Sequence, residues 1–231
     1  MLYIGLMKKY FRKKEDVYDA VQEVGFLPFF PCGIPGLSIE EHTPSELWFT
    51  DDPGPWEWKG PVLRMGNCVY GKFFNNKAGF VSTKWFNDFA NWRRDGYDFD
   101  ARFNDNLASY DDQYLYNIIS SRKSMLSYEA KGIGNYCKNG RKGFDTHITR
   151  LQMQCYVVIS DFEYRQDKHG SDYGWGVGRY AVPENFLGKR FANHVYIRTP
   201  EESRDRILKF LQKEFPETDI RDLRRLLGNN H

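Results

Sequence analysis

Residues 138–160 read Lys-Asn-Gly-Arg-Lys-Gly-Phe-Asp-Thr-His-Ile-Thr-Arg-Leu-Gln-Met-Gln-Cys-Tyr-Val-Val-Ile-Ser. Three patterns follow one another within them. A glycine-rich basic turn comes first. Next, Phe144, Ile148, Leu151 and Cys155 recur at helical spacing, which predicts a helix over 144–154 with one apolar face. Then Tyr156-Val157-Val158-Ile159-Ser160 predicts a buried strand running on toward Tyr164. Upstream, Leu115, Ile118 and Ile119 mark a helix over 114–121, and Ser127 is placed to cap a second over 128–132. Downstream, the polar tip 165–172 leads into another strand over 173–182.

Helix, helix, basic turn, helix, strand, polar tip, strand is the order of a winged helix-turn-helix. In that unit the third helix enters a major groove and the wing touches the phosphate backbone. Such a unit needs a cationic outer face, because phosphate neutralisation supplies most of its affinity. Arg141, Lys142, Thr146, His147 and Arg150 are the candidates on the helix, and Arg165, Lys168 and His169 on the wing. Residues 121–169 hold nine basic against five acidic residues, while 36–63 hold six acids and a single lysine. One part of the chain suits a polyanion and another repels it. The expected partner is a nucleic acid, DNA rather than RNA. A protein-interaction module with an ordinary solvated face is the bland alternative.

The chain has 231 residues, 41% hydrophobic and 28% charged, with a net charge of +2. A disordered chain is excluded, and no apolar run is long enough to span a bilayer. Near the start, Val17, Ala20, Val21 and Val24 predict a helix stopped by Gly25. Seven of the ten prolines then fall between Pro28 and Pro61 among many aromatic residues, so an ordered but irregular wrap is expected there. Thr43, Pro44 and Glu46 could open one short helix within it. Trp56 and Trp58, read as extended chain, share a face and offer a stacking platform for a base. The flanking Asp51, Asp52 and Glu57 argue instead for a core or interface place. Asn75-Asn76 between two strand-like runs predicts a two-residue hairpin, followed by an aromatic helix over 84–92. Residues 93–106, rich in Asp, Asn and Gly, form the best boundary, and no internal repeat is visible. At the other end, Thr199-Pro200-Glu201-Glu202 opens a helix that Pro216 breaks, and a second begins at Asp219.

The expected architecture is therefore α+β. An aromatic, proline-rich region spans 1–104 and could be a degenerate winged helix. A winged-helix domain spans 105–190, and a helical extension 191–231. Cys32, Cys68, Cys137 and Cys155 lack paired spacing and read as reduced thiols of a cytoplasmic protein. The five histidines never fall at ligand spacing with one another or with a cysteine, so no metal or cofactor is expected. Nothing in the pattern sets an oligomeric state.

The chain also resembles a known family, the AlkZ-like bacterial winged-helix DNA glycosylases that remove alkylated purines and unhook interstrand crosslinks, together with their shorter relatives. The resemblance lies in Val24-Gly25-Phe26-Leu27-Pro28-Phe29-Phe30 followed by Gly36-Leu37-Ser38-Ile39-Glu40-Glu41-His42. It extends to Trp56-Glu57-Trp58-Lys59, to 77–82, to Leu151-Gln152 and to the wing 167–175. It implies a glycosylase-like scaffold. In the glycosylases a Gln-apolar-Asp triplet positions water and stabilises the sugar cation. Pro28, Phe29 and Phe30 stand at the matching positions, and none can move a proton or hold a water. Gln152-Met153-Gln154 spells a similar triplet but closes the third helix. A hydrolase would have to use His42, Glu40, Glu41 or Asp52 instead. His42 equally suits a buried structural role.

Overall fold

A run of strands whose order reads the same from either edge organises the molecule. In the computed structural model, which describes residues 9–50, 52–166, 168–169 and 172–228, α1 (Lys14–Val24) leads into β1 (Phe26–Pro28). The short α2 (Ile39–His42), a 3-10 turn at Ser45–Leu47, and α3 (Pro55–Arg64) precede β2 (Cys68–Phe74) and β3 (Lys77–Ser82). After α4 (Thr83–Arg94) and α5 (Phe99–Asn104) the sequence of elements recurs. Helix α6 (Tyr110–Ser120) is followed by β4 (Met125–Leu126), α7 (Ser127–Ile133), α8 (Phe144–Met153), β5 (Val158–Gln166) and β6 (Asp172–Ala181). The antiparallel sheet runs β1-β3-β2-β5-β6-β4. Each half thus contributes a hairpin plus one short edge strand, and the halves meet at a β2–β5 seam where Tyr70 lies opposite Ile159. The protein is α+β, and its internal repeat lies in topology, where residue identities do not show it.

Local chemistry explains the elements. Asn75 and Asn76 both take positive φ, 50° and 66°, as a two-residue hairpin turn requires. Gly79 of β3 sits where a Cβ would come within 2.6 Å of Leu27 O, Pro28 Cα and the Phe74 ring, so only glycine lets β1 and β2 flank it. The wrap is more helical than its prolines suggest. Pro55 occupies the first turn of α3, where no N–H is needed, and the Glu57 carboxylate accepts from Gly54 N at 3.0 Å. Trp56 and Trp58 therefore lie on a helix and face different ways, which corrects the extended-chain expectation. Ser38 and the acids Glu40 and Glu41 start α2 where no helix was expected.

Two helices cross the seam. Helix α3 packs on β5 and α8 packs on β2, each reaching across to the other half's strand. Behind the sheet, Phe73 meets Phe86 and Phe89 of α4. Helices α11 (Pro200–Glu214) and α12 (Ile220–Leu227) close that layer, following the short turns α9 (Pro183–Phe186) and α10 (Lys189–Ala192). Ile207, Leu208 and Leu211 of α11 are buried, as the capping-box reading anticipates. A smaller core under α6–α8 contains Phe99, Leu115, Ile119, Phe144, Ile148, Leu151 and Tyr156. Burial of each such aromatic or aliphatic side chain contributes about 1.5–3 kcal/mol.

Residues 93–106 differ from the expected boundary. They carry the end of α4 and all of α5, and Arg93 and Arg94 are each only 1% exposed. Arg93 donates to Met153 O at 2.7 Å and Leu227 O at 2.9 Å. Arg94 donates to Cys155 O, the Tyr196 hydroxyl and Glu184. Buried charges persist where they are paired or hydrogen-bonded. These two guanidiniums fasten the first half to α8, the turn before β5, α9 and the C-terminal segment.

Candidate nucleic-acid interface

Helix α8 buries Phe144, Ile148 and Leu151 and leaves Asp145, Thr146 and Arg150 exposed, as its spacing requires. Beside this face lies an open groove of about 660 Å³. Its α8 wall is Asp145, Thr146, Thr149, Arg150, Met153 and Gln154, and its far wall is Lys72 and Asn76 of the β2–β3 hairpin. The sequence reading included neither hairpin residue. Lys72 is fixed from two directions. Its Nζ donates to Thr149 Oγ1 at 3.1 Å, and its backbone N donates to Gln152 Oε1 at 3.1 Å. One signal was available, since Lys72 is a charged residue in an otherwise apolar strand, Val69-Tyr70-Gly71-Lys72-Phe73-Phe74.

Three of the expected phosphate-contacting residues converge at the start of α6, and each meets a carboxylate. Arg141 donates to Asp111 at 2.7 Å and stacks on Tyr114 with its guanidinium 3.9 Å from the ring centre. Arg150 donates to Asp112 Oδ2 at 2.7 Å, and His147 Nδ1 lies 2.8 Å from Asp112 Oδ1. Burial opposes ionisation of Asp112, but hydrogen bonds from Ser109, His147 and Arg150, with the charge of Arg150, hold it below the ordinary 3.8. Asp111 and Asp112 thus offset the positive excess counted over 121–169, because they fall just outside that window. They also orient. A guanidinium has five N–H donors and Arg150 spends one on Asp112, leaving the rest on a side chain that is 44% exposed.

The other candidates are more dispersed. Lys142 and Lys168 are exposed and form no ion pair among the described residues, and Thr146 and His169 are also exposed. The side chain of Arg165 lies outside the described residues, as do Asp51 and Asp167. The acidic half behaves differently. Trp58 is buried, with its indole N–H on Pro53 O at 2.8 Å, so it cannot stack on a base. Trp56 stacks on Phe29 at 5.1 Å and meets Trp48 and Phe30 edge-on or tilted.

The proposed acid/base residues do not gather into a catalytic arrangement. His42 is 5% exposed, with Nδ1 2.9 Å from Lys9 O and Nε2 2.7 Å from Gly36 O. Both ring nitrogens face main-chain carbonyls, so the ring pins the segment before α1 to the loop before α2. Glu41 accepts from Gly36 N and the Ser38 hydroxyl. Glu40 and Asp52 are exposed to solvent. Among the described residues, no group of three metal-ligating side chains occurs. Gln152 and Met153-Gln154 part company, the first bracing Lys72 and the other two lining the groove.

Comparison with known proteins matches the AlkZ-related family over residues 11–228. The chain belongs to that family. The match covers both halves of the sheet and the C-terminal helices. No curated protein and no solved structure matches. No helix among the described residues is long and apolar enough to cross a membrane.

Proposed function

We propose that this AlkZ-related chain is a cytoplasmic protein that binds double-stranded DNA on a glycosylase-like scaffold without using the glycosylase triplet. The observation that carries the proposal is the groove between α8 and the β2–β3 hairpin, where Lys72 and Arg150 are both held in place by polar neighbours. The topology supports a winged-helix reading of residues 105–190, with α6, α7 and α8 as the three helices and β5–β6 as the wing. Residues 9–82 repeat that order of elements, and their β2–β3 hairpin supplies the second wall of the groove. Residues 191–228 brace the back of the sheet. An α-helix fits the major groove of B-DNA, whereas the major groove of A-form RNA is too deep and narrow for it, so duplex DNA is the ligand.

Titration of a labelled 20-bp duplex across salt tests this reading. Affinity should fall linearly with salt on logarithmic axes. Lys72→Ala and Arg150→Ala should each weaken binding for all sequences and lower the slope by about one. Absence of binding at low salt, or binding indifferent to salt, would reject it. Incubation with alkylated duplex should leave no abasic sites.

A further inference from the structure

Two exposed surfaces lie outside the α8 groove, and they are opposite in charge. From Glu40 to Asp52 the chain carries five acids and no lysine or arginine. Glu46 and Asp52 are exposed there, and neither forms an ion pair among the described residues. Between them stands Phe49, 86% exposed, beside the half-buried Leu47 and Trp48. The Trp48 ring is held edge-on against Phe29 and Trp56, and the Thr50 hydroxyl donates to Asp52 O at 2.9 Å. An ordered turn therefore holds an aromatic side chain out in water, ringed by carboxylates. Apolar area rimmed by polar groups in this way marks a contact surface.

The second surface is basic. Asn185 of α9 donates to Ser120 O at 3.1 Å and to Arg122 O at 3.0 Å, tying the turn after α6 to α9, and α10 packs on α9. Arg122, Lys123, Lys189 and Arg190 are exposed on these joined segments and form no ion pair among the described residues. No acid occurs in 113–128 or in 185–200, and Glu184, next to Asn185, is taken by Arg94. Ile197, 61% exposed, adds an apolar side chain next to Tyr196, whose hydroxyl meets the same Arg94. The patch is no extension of the α8 face. It lies at the opposite end of α6 from Asp111 and Asp112. It also sits at the base of the β5–β6 hairpin, where Met125 lies opposite Tyr180, about 26 Å along β6 from Asp172.

We propose that copies of this chain associate through these two surfaces, the Phe49 turn of one copy seated beside Ile197 on the Arg122–Lys189 patch of another. Opposite charges steer the encounter, and like charges exclude turn on turn and patch on patch. The apolar side chains at the two centres then leave water together.

Sedimentation velocity of the whole chain, from micromolar to hundreds of micromolar, tests this. At about 0.02 M salt the mean mass should rise with concentration, and at about 0.3 M the association should weaken about tenfold as the charges are screened. The turn variant combines Glu46→Gln, Phe49→Ser and Asp52→Asn. The patch variant combines Arg122→Gln, Lys123→Gln, Lys189→Gln and Arg190→Gln. All seven side chains are exposed, so both variants should keep the thermal midpoint of the parent. Each alone should stay monomeric. Their equimolar mixture should restore dimers of one copy each and nothing larger, because a single intact turn meets a single intact patch. A parent that is monomeric at every concentration in low salt overturns the proposal. So does a mixture that stays monomeric while the parent associates, or association that both variants retain. A monomeric parent whose patch variant loses duplex affinity assigns the patch to DNA instead.

Discussion

Asp112 is the residue on which the α8 face turns. Its carboxylate is 3% exposed and engages His147 and Arg150 together. Asp112→Asn keeps the volume but removes the charge, and should destabilise the fold by about 1.5–3 kcal/mol in urea titrations. A linked pH effect follows from its depressed value. The stability that Asp112 contributes is complete above the unfolded chain's 3.8 and is lost as pH falls through the lower folded value. The parent should therefore lose stability below about pH 4 more steeply than Asp112→Asn does. The variant also separates orientation from charge. If the carboxylate merely neutralises Arg150, its removal tightens duplex binding; if it aims the guanidinium, as proposed here, binding weakens despite the gain in positive charge. Sequence reading named Arg141, His147 and Arg150 together, and the fold brings them together. It could not foresee their partners, since an acid pair at a helix start looks like ordinary dipole compensation.

At the scale of elements, periodicity made α1, α4, α6, α8, α11 and α12 legible because each buries an apolar stripe. Helix α3 was missed for a physical reason. Proline, glycine and two tryptophans hid a pattern that becomes helical only once Gly54, Pro55 and Glu57 satisfy its first turn. Treating Trp56 and Trp58 as neighbours on one face followed from that error. The groove was half legible, its α8 wall from spacing and its hairpin wall not at all, because pairing α8 with β2 joins residues about 80 apart. Strand β3 offers the sharpest test of this level. Gly79→Ala places a methyl against main-chain atoms of β1, which cannot swing away as a side chain would. A loss of about 1–3 kcal/mol is expected, read as a lowered thermal midpoint with unchanged far-ultraviolet dichroism in the surviving native state.

For the whole molecule, the buried arginines decide whether the two halves unfold as one. Arg94→Met removes the partner of Glu184 and the donor to Cys155 O, and should cost about 3–5 kcal/mol. Five of the six tryptophans precede residue 104, so indole fluorescence reports the first half while far-ultraviolet dichroism reports both. In the parent the two signals should melt together. In Arg94→Met they should separate if this guanidinium is what couples the halves, and coincident transitions in the variant would show that the seam alone suffices. The linker-like composition of 93–106 concealed this coupling, because two consecutive arginines ordinarily advertise a surface.

The palindromic strand order has a further consequence. An isolated first half would present β2 as a bare, self-complementary edge of the kind its fused sibling now occupies. Such a fragment should recruit a twin across that border and behave as a homodimer, with a rotational symmetry that the intact polypeptide reproduces only approximately.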